Sequence, residues 1–297
     1  MSFCKEVKTE LTTLRPSVCC KASLVYGLLL FGRSFSFNKI SIQSTNEAVA
    51  KFYCDLVWDL CRIRPALSVG GTVVPTYKAE IESEADRLKI LASIDFGIND
   101  EIISREGFYK PCCVHSFIRG AFLSCGNIND PEKEYRAEFN VKNEKMADEL
   151  LTLLAENGVD MRKVTRHRGF QLYTKDSGEI EDLLTLMGAG KHTLSLIDTK
   201  IMKSIKNNIN RARNCDNANI SKTVEASIKQ RTAIEFLEST DRLQNLPKEL
   251  YDAAKLRLNN PNATLKELCR LSDEPITVSG LNHRLKKLIE IYENAKK

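Results

Sequence analysis

Apolar residues recur along the chain with two periods, and the order in which the periods alternate repeats itself. Residues 19–32, Cys-Cys-Lys-Ala-Ser-Leu-Val-Tyr-Gly-Leu-Leu-Leu-Phe-Gly, are apolar on nearly every side at helical spacing, which predicts a helix buried on nearly every side. A stretch through Phe35, Phe37, Ile40 and Ile42 alternates with the period of strands. A helix over Glu47–Cys61, strands over Ala66–Val69 and Tyr77–Ile81, and a helix over Ala85–Ile94 complete the unit. Residues 112–125, Cys-Cys-Val-His-Ser-Phe-Ile-Arg-Gly-Ala-Phe-Leu-Ser-Cys, align with 19–32 without a gap, 93 positions further on. The same order follows: a strand over Tyr135–Val141, a helix over Asn143–Glu156, a hairpin over Val164–Tyr173 turning at Arg168-Gly169, and a helix over Gly178–Met187. The pattern predicts an α+β fold of two tandem α-β-β-α-β-β-α repeats, over residues 1–105 and 106–190.

Each repeat opens on its apolar helix with a glycine at the same place, Gly27 and Gly120. A mid-helix Gly costs about 0.5–1 kcal/mol relative to Ala, so it usually marks close backbone approach. The shared register predicts that the two helices pack side by side on a pseudo-two-fold axis, making one domain of the two repeats.

The last third reads differently. Residues 191–240 form a basic helical connector, and 241–297 read as an all-α domain of three helices. Pro247 starts the first, with Leu250, Ala253, Ala254 and Leu258 on its apolar face, and Asn-Asn-Pro-Asn at 259–262 breaks it. Thr264 and Glu267 make a capping box for the second, which carries Leu265, Leu268 and Leu271 and ends before Pro275. Thr277 or Ser279 caps a third, running to about Glu293. At 100° per residue, Leu281, Leu285, Leu288 and Tyr292 share one stripe of that helix, while Ser279, His283, Lys286 and Lys287 fall opposite and Asn282 and Arg284 flank them. A short helix, a tight turn and a longer basic helix is the helix-turn-helix layout, whose last helix enters the major groove of duplex DNA. Ser279, Asn282 and His283 suit base edges; Arg284, Lys286 and Lys287 suit phosphates, and Thr264, at the start of the neighbouring helix, is a further DNA-binding candidate. In the connector, Asn210, Arg211, Arg213 and Asn214 are further DNA candidates, with a polar linker as the alternative.

Charge supports this division. From Lys191 onward there are 20 Lys and Arg against 13 Asp and Glu, a net of +7; the first 190 residues hold the remaining 24 basic and 26 acidic side chains, a net of −2. A basic tail on a near-neutral body suits a polyanionic partner. No apolar run approaches the roughly 18–20 residues that span a bilayer, and the N-terminus lacks a signal peptide's apolar core. The sequence therefore predicts a cytoplasmic, nucleoid-associated protein with no membrane partner. Ten cysteines in such a compartment are expected to be reduced and largely buried, and without a Cys-x-x-Cys pair neither a metal nor any other cofactor is expected.

Gly-Leu-Leu-Leu-Phe-Gly at 27–32 and Gly-Ala-Phe-Leu-Ser-Cys-Gly at 120–126 resemble degenerate LAGLIDADG helices of homing endonucleases. More specifically, Phe-Ile-Arg-Gly-Ala-Phe-Leu-Ser-Cys-Gly-Asn-Ile-Asn-Asp-Pro-Glu-Lys at 117–133, Asn-Arg-Ala-Arg-Asn-Cys-Asp-Asn-Ala-Asn at 210–219 and Ser-Gly-Leu-Asn-His-Arg-Leu at 279–285 resemble the WhiA family of bacterial regulators. The resemblance spans nearly the whole chain. It implies a sequence-specific DNA-binding regulator of cell division, chromosome segregation or sporulation, acting at promoter regions, with another transcriptional regulator as a further partner.

LAGLIDADG nucleases hold a divalent metal with the last acid of each motif, because Mg²⁺ requires oxygen ligands. Alignment on Gly27 and Gly120 puts Gly32 and Cys125 at those positions, and a one-residue slip brings no Asp or Glu. No enzyme is expected. Cys125 as a nucleophile paired with His115 or His167 is weaker than Cys125 as a buried structural thiol. Two alternatives remain: an RNA-binding, maturase-like helper and, with less support, an active homing endonuclease.

Overall fold

The computed structural model describes residues 2–94 and 102–296; part of the first repeat's predicted span, residues 95–101, lies outside the described residues. The described residues form two compact units, one ending at Lys203 and one beginning at Ser204.

In the first unit the expected order is present twice. The first repeat runs α2 (Val18–Leu30), β1 (Ser34–Phe35), β2 (Ile40–Ser44), α3 (Glu47–Cys61), β3 (Ala66–Gly70), β4 (Thr76–Ile81) and α4 (Glu84–Ile94). The second runs α5 (Pro111–Cys125), β5 (Gly126–Ile128), β6 (Ala137–Val141), α6 (Glu144–Glu156), β7 (Arg162–Arg166), β8 (Gly169–Thr174) and α7 (Ser177–Met187). Each repeat makes a four-stranded antiparallel sheet, in the orders β1-β2-β4-β3 and β5-β6-β8-β7. Local chemistry starts the equivalent helices alike: the Asn46 side chain accepts from the Ala48 N–H, and Asn143 accepts from Lys145 and Met146.

The α2 and α5 helices pack against each other at the centre of one core, with Leu24, Tyr26, Leu28, Phe117, Ala121 and Phe122 fully buried. The two glycines are what permits the approach. A Cβ on Gly27 would collide with the Phe117 carbonyl and lie 3.0 Å from the Ala121 nitrogen. A Cβ on Gly120 would collide with the Leu24 carbonyl and lie 2.9 Å from the Leu28 nitrogen. Phe117 and Ala121 stand 93 positions after Leu24 and Leu28, so the contact is reciprocal, as a two-fold axis requires.

Three local expectations need correction. An unpredicted helix α1 (Phe3–Thr13) precedes the first repeat, capped by Ser2 and burying Val7 and Leu11. The stretch from Phe35 to Ile42 holds both strands of the expected β-β pair as a hairpin, but Phe37 is not a strand position and lies 62 % exposed at its turn. The second hairpin turns at His167-Arg168; Gly169, at φ 130°, is already paired with Arg166. Its positive φ is the strand start that the sequence reading took for the turn.

Helix α8 (Gly190–Ser239) begins in the first unit and ends in the second. The second unit continues with α9 (Lys248–Asn259), α10 (Leu265–Leu271) and α11 (Val278–Lys296) around Ile234, Leu237, Leu243, Ala254, Leu268, Leu281, Leu285 and Leu288. The capping box at Thr264 and Glu267 is formed in both directions. Of the two caps offered for α11, Thr277 is the one used: its Oγ1 accepts from the Gly280 N–H at 3.1 Å.

Candidate nucleic-acid interface

The face expected to meet DNA is built by the burial of its opposite. Leu281, Leu285 and Leu288 lie in the core of the second unit, and Tyr292 packs edge-on to Phe236 with ring centroids 5.1 Å apart. The helical period then turns Ser279, His283, Lys286 and Lys287 outward, and all four are exposed. Asn282 is half-buried beside them. Lys287 pairs with Glu290 one turn on, at 3.1 Å, an exposed pair that a phosphate can displace.

Two of the predicted residues are partly engaged within the protein. The Arg284 guanidinium lies 3.2 Å from Glu249 on α9. Since Glu249 is well exposed, the pair positions the guanidinium rather than neutralising it. The Thr264 hydroxyl donates to Glu267 at 2.9 Å while accepting from its N–H at 3.3 Å. Thr264 thus fixes the start of α10. The carboxylate it caps sits below the usual range, held there chiefly by the Thr264 backbone N–H and then its hydroxyl. Glu249 was missed by sequence reasoning because the contact joins residues 35 positions apart in number across two helices.

The connector candidates Asn210, Arg211, Arg213 and Asn214 all lie on α8 and are all exposed. At 100° per residue they span an arc of about 160°. Residues 204–222 are exposed on every side of this helix.

The former metal positions lie elsewhere, at the C-terminal ends of α2 and α5. Gly32 follows α2, and a Cβ there would lie 2.8 Å from the Leu28 carbonyl oxygen, so not even alanine fits without a shift. Cys125 ends α5, where burial pushes its thiol up to about 12 against the opposing pull of Lys8. Lys8 comes from the unpredicted α1, and its ammonium donates to the Leu123 carbonyl at 3.1 Å. Neither position offers an oxygen side chain, and the charge beside them is positive. At pH 8 the Cys125 thiol therefore stays protonated. Alkylation of the native protein at that pH is expected to label the exposed Cys215 and leave Cys125 unlabelled, read by peptide mass spectrometry.

The metal-binding geometry among the described residues is at the opposite ends of the same helices. Cys19, Cys20, Cys112 and Cys113 bring their four sulfurs within 4.8 Å of one another. They do not form a Cys-x-x-Cys pattern in the sequence, because each repeat supplies an adjacent pair and only the pairing of repeats joins the two.

Comparison with known proteins gives this arrangement a family. A family model described as the WhiA LAGLIDADG-like domain matches residues 114–206, and one described as the WhiA C-terminal HTH domain matches residues 209–292. The chain is 32 % identical over 315 residues to a probable cell division protein WhiA of Oceanobacillus iheyensis, covering 100 % of this chain and 98 % of that one. It is 33 % identical over 307 residues to the protein of the same description from Bacillus subtilis, covering 99 % and 96 %. Among solved structures, full-length WhiA from Thermatoga maritima superposes with a TM-score of 0.62 at 22 % identity over 99 % of both chains. The isolated N-terminal LAGLIDADG domain of WhiA gives 0.51 at 18 % identity, over 63 % of this chain and 92 % of that one. The paired glycine-bearing helices, the two matching sheets, the helical C-terminal unit and these likenesses at full length lead to one assignment: the chain belongs to the WhiA family.

Proposed function

We propose that this chain is a non-catalytic, sequence-specific DNA-binding regulator that reads duplex promoter DNA through α11 and acts in bacterial cell division. The observation that carries the reading is α11 itself, with three leucines buried on one side and Ser279, His283, Lys286 and Lys287 exposed on the other. Asn282 and His283 would meet base edges, and Lys286, Lys287 and Arg284 would meet phosphates. Asn210, Arg211, Arg213 and Asn214 would add backbone contacts from α8. The relatives' description as probable cell division proteins supplies the process. Chromosome segregation and sporulation belong to the same reading, as do a second transcriptional regulator as partner and association with the nucleoid.

Loss of cleavage follows from chemistry. A hard divalent ion between the helix ends would meet Gly32, the protonated Cys125 thiol and the Lys8 ammonium where it needs carboxylates. The repeat domain would then serve as a scaffold that adds DNA affinity or docks the second regulator.

The test is retention of genomic duplex fragments by the purified protein, with and without Mg²⁺, across a salt series. Promoter fragments should be retained selectively and uncut. Lys286→Ala should weaken binding to all fragments alike and lower the salt slope by about 1. His283→Ala should cost about 1–3 kcal/mol on the selected fragments only. Cleavage in Mg²⁺, preference for structured RNA over duplex DNA, or binding indifferent to both substitutions would overturn the proposal.

A further inference from the structure

We propose that Cys19, Cys20, Cys112 and Cys113 form a structural mononuclear zinc site that ties the two repeats together on their pseudo-two-fold axis. The site differs in position and purpose from the metal centre of a nuclease, since it lies at the N-terminal rather than the C-terminal ends of the paired helices.

The two helices deliver their cysteines symmetrically. Val18 and Pro111 are the first residues of α2 and α5, so each pair occupies the second and third helical positions. Cys20 Sγ lies 3.3 Å from the Cys112 carbonyl oxygen, and Cys113 Sγ lies 3.3 Å from the Cys19 carbonyl oxygen. The exchange is reciprocal across the axis, like the glycine contact further along the helices. The Cys19 sulfur is 3.8 Å from that of Cys20 and 3.9 Å from that of Cys112.

These separations decide between ligands. With Zn–S bonds of about 2.3 Å, the edge of a tetrahedron of four thiolates is about 3.8 Å. A disulfide needs its sulfurs at about 2.05 Å, so a bridge from Cys19 to Cys112 would have to draw them together by nearly half their distance. Soft thiolates in a tetrahedral set select zinc over the hard ions that nucleases use.

The surroundings favour negative charge. All four cysteines lie in the first turns of their helices, at the positive ends of the two helix dipoles. Arg119 of α5 is 7 % exposed, and its Nε has no hydrogen-bond partner among the described residues. Burial holds the Arg119 guanidinium below its usual range, and negative charge on Cys20 would oppose that. Four thiolates around Zn²⁺ carry a net charge of −2, which supplies the counter-charge that Arg119 otherwise lacks. Binding releases the four thiol protons to solvent. It also gives up the two S–H donations to the carbonyls, which are weak. Cys20 and Cys113 are buried while Cys112 is exposed, so an ion can enter from the surface and be held against the core.

The full-length protein, purified under reducing conditions without chelator, should contain one zinc per chain by elemental analysis. Cobalt(II) added to the metal-free protein should give the intense charge-transfer and visible bands of a tetrahedral tetrathiolate. In folded protein the four thiols should resist alkylation until a strong chelator is added. Cys112→Ser, at the exposed ligand, should lower zinc affinity by more than the roughly 10- to 100-fold lost with a residue that merely hydrogen-bonds to a ligand. Cys215→Ser, far along α8, should leave zinc content unchanged. Should Cys112→Ser fail to fold, the cobalt spectrum and chelator-dependent alkylation of the unaltered protein still decide. Purified protein without zinc, cobalt bands lacking thiolate character, or a Cys19–Cys112 disulfide recovered from cells by non-reducing peptide mapping would overturn the proposal.

Discussion

Gly120→Ala is expected to destabilise the repeat domain by about 2 kcal/mol, although alanine is the better helix former. The two effects have opposite signs and can be weighed. In an exposed helix the substitution gains about 0.8–1.0 kcal/mol. Here the new methyl would collide with the Leu24 carbonyl and lie 2.9 Å from the Leu28 nitrogen. Both obstacles are backbone atoms within residues 23–30, the buried stretch of α2, so no rotamer change relieves them. Relief requires α2 and α5 to move apart, which opens the core around Leu24, Phe117 and Phe122. Overpacking of this kind costs typically about 1–3 kcal/mol and more where backbone must move. Gly27→Ala should cost a similar amount, because its obstacles are the symmetry-related atoms Phe117 O and Ala121 N. The pair together should cost less than the sum, since one separation of the helices relieves both. Chemical denaturation followed by far-ultraviolet circular dichroism measures all three. A neutral or stabilised Gly120→Ala would mean that the helices are not in backbone contact.

The second large effect is expected at Arg257, on α9 of the C-terminal unit. Only 2 % of it is exposed, and no acid pairs with it among the described residues. Its guanidinium donates to the Ala263 carbonyl at 2.6 Å and to that of Asn260 at 3.4 Å, binding the turn that leads from α9 into α10. Burial holds its pKa below the usual arginine range. Arg257→Ala would remove hydrogen bonds from a charged donor, leave the turn carbonyls unmet and open a cavity, at a cost of about 3 kcal/mol or more. Arg257→Met restores most of the volume and removes the buried charge, so it should cost distinctly less. Hydrogen exchange of the α9–α11 amides isolates the loss to this unit. Equal costs for the two variants would show that the charge and its carbonyl partners contribute nothing.

How far the sequence carried these conclusions depends on whether the signal was local. The repeats were legible because two 14-residue segments align without a gap 93 positions apart, sharing the Cys pair, the Ser and the Gly, and the placement of Gly27 and Gly120 within them already implied the close approach. Helices such as Glu47–Cys61 were legible from periodicity and an Asn cap. Helix α1 was not, because only Val7 and Leu11 are buried among Lys, Glu and Thr. A two-residue stripe that short does not stand out from a polar terminus. The outward face of α11 was legible from the leucine spacing, yet the contact of Arg284 with Glu249 required knowing how α9 packs. The four-cysteine cluster was the least legible, since each half is an ordinary Cys-Cys pair until the axis is known.

The dependence of α2 on α5 also has a consequence in time. Gly27 can meet Gly120 only after the next 93 residues have been made. At a synthesis rate of about 5–20 residues per second, that wait lasts roughly 5–20 s. Throughout it, the side of α2 that α5 will cover, where the backbone at Leu24 and Leu28 is destined to meet Gly120, has no partner on the nascent chain. The first repeat therefore emerges from the ribosome as an adhesive surface, and the cell must shield it until its twin is made.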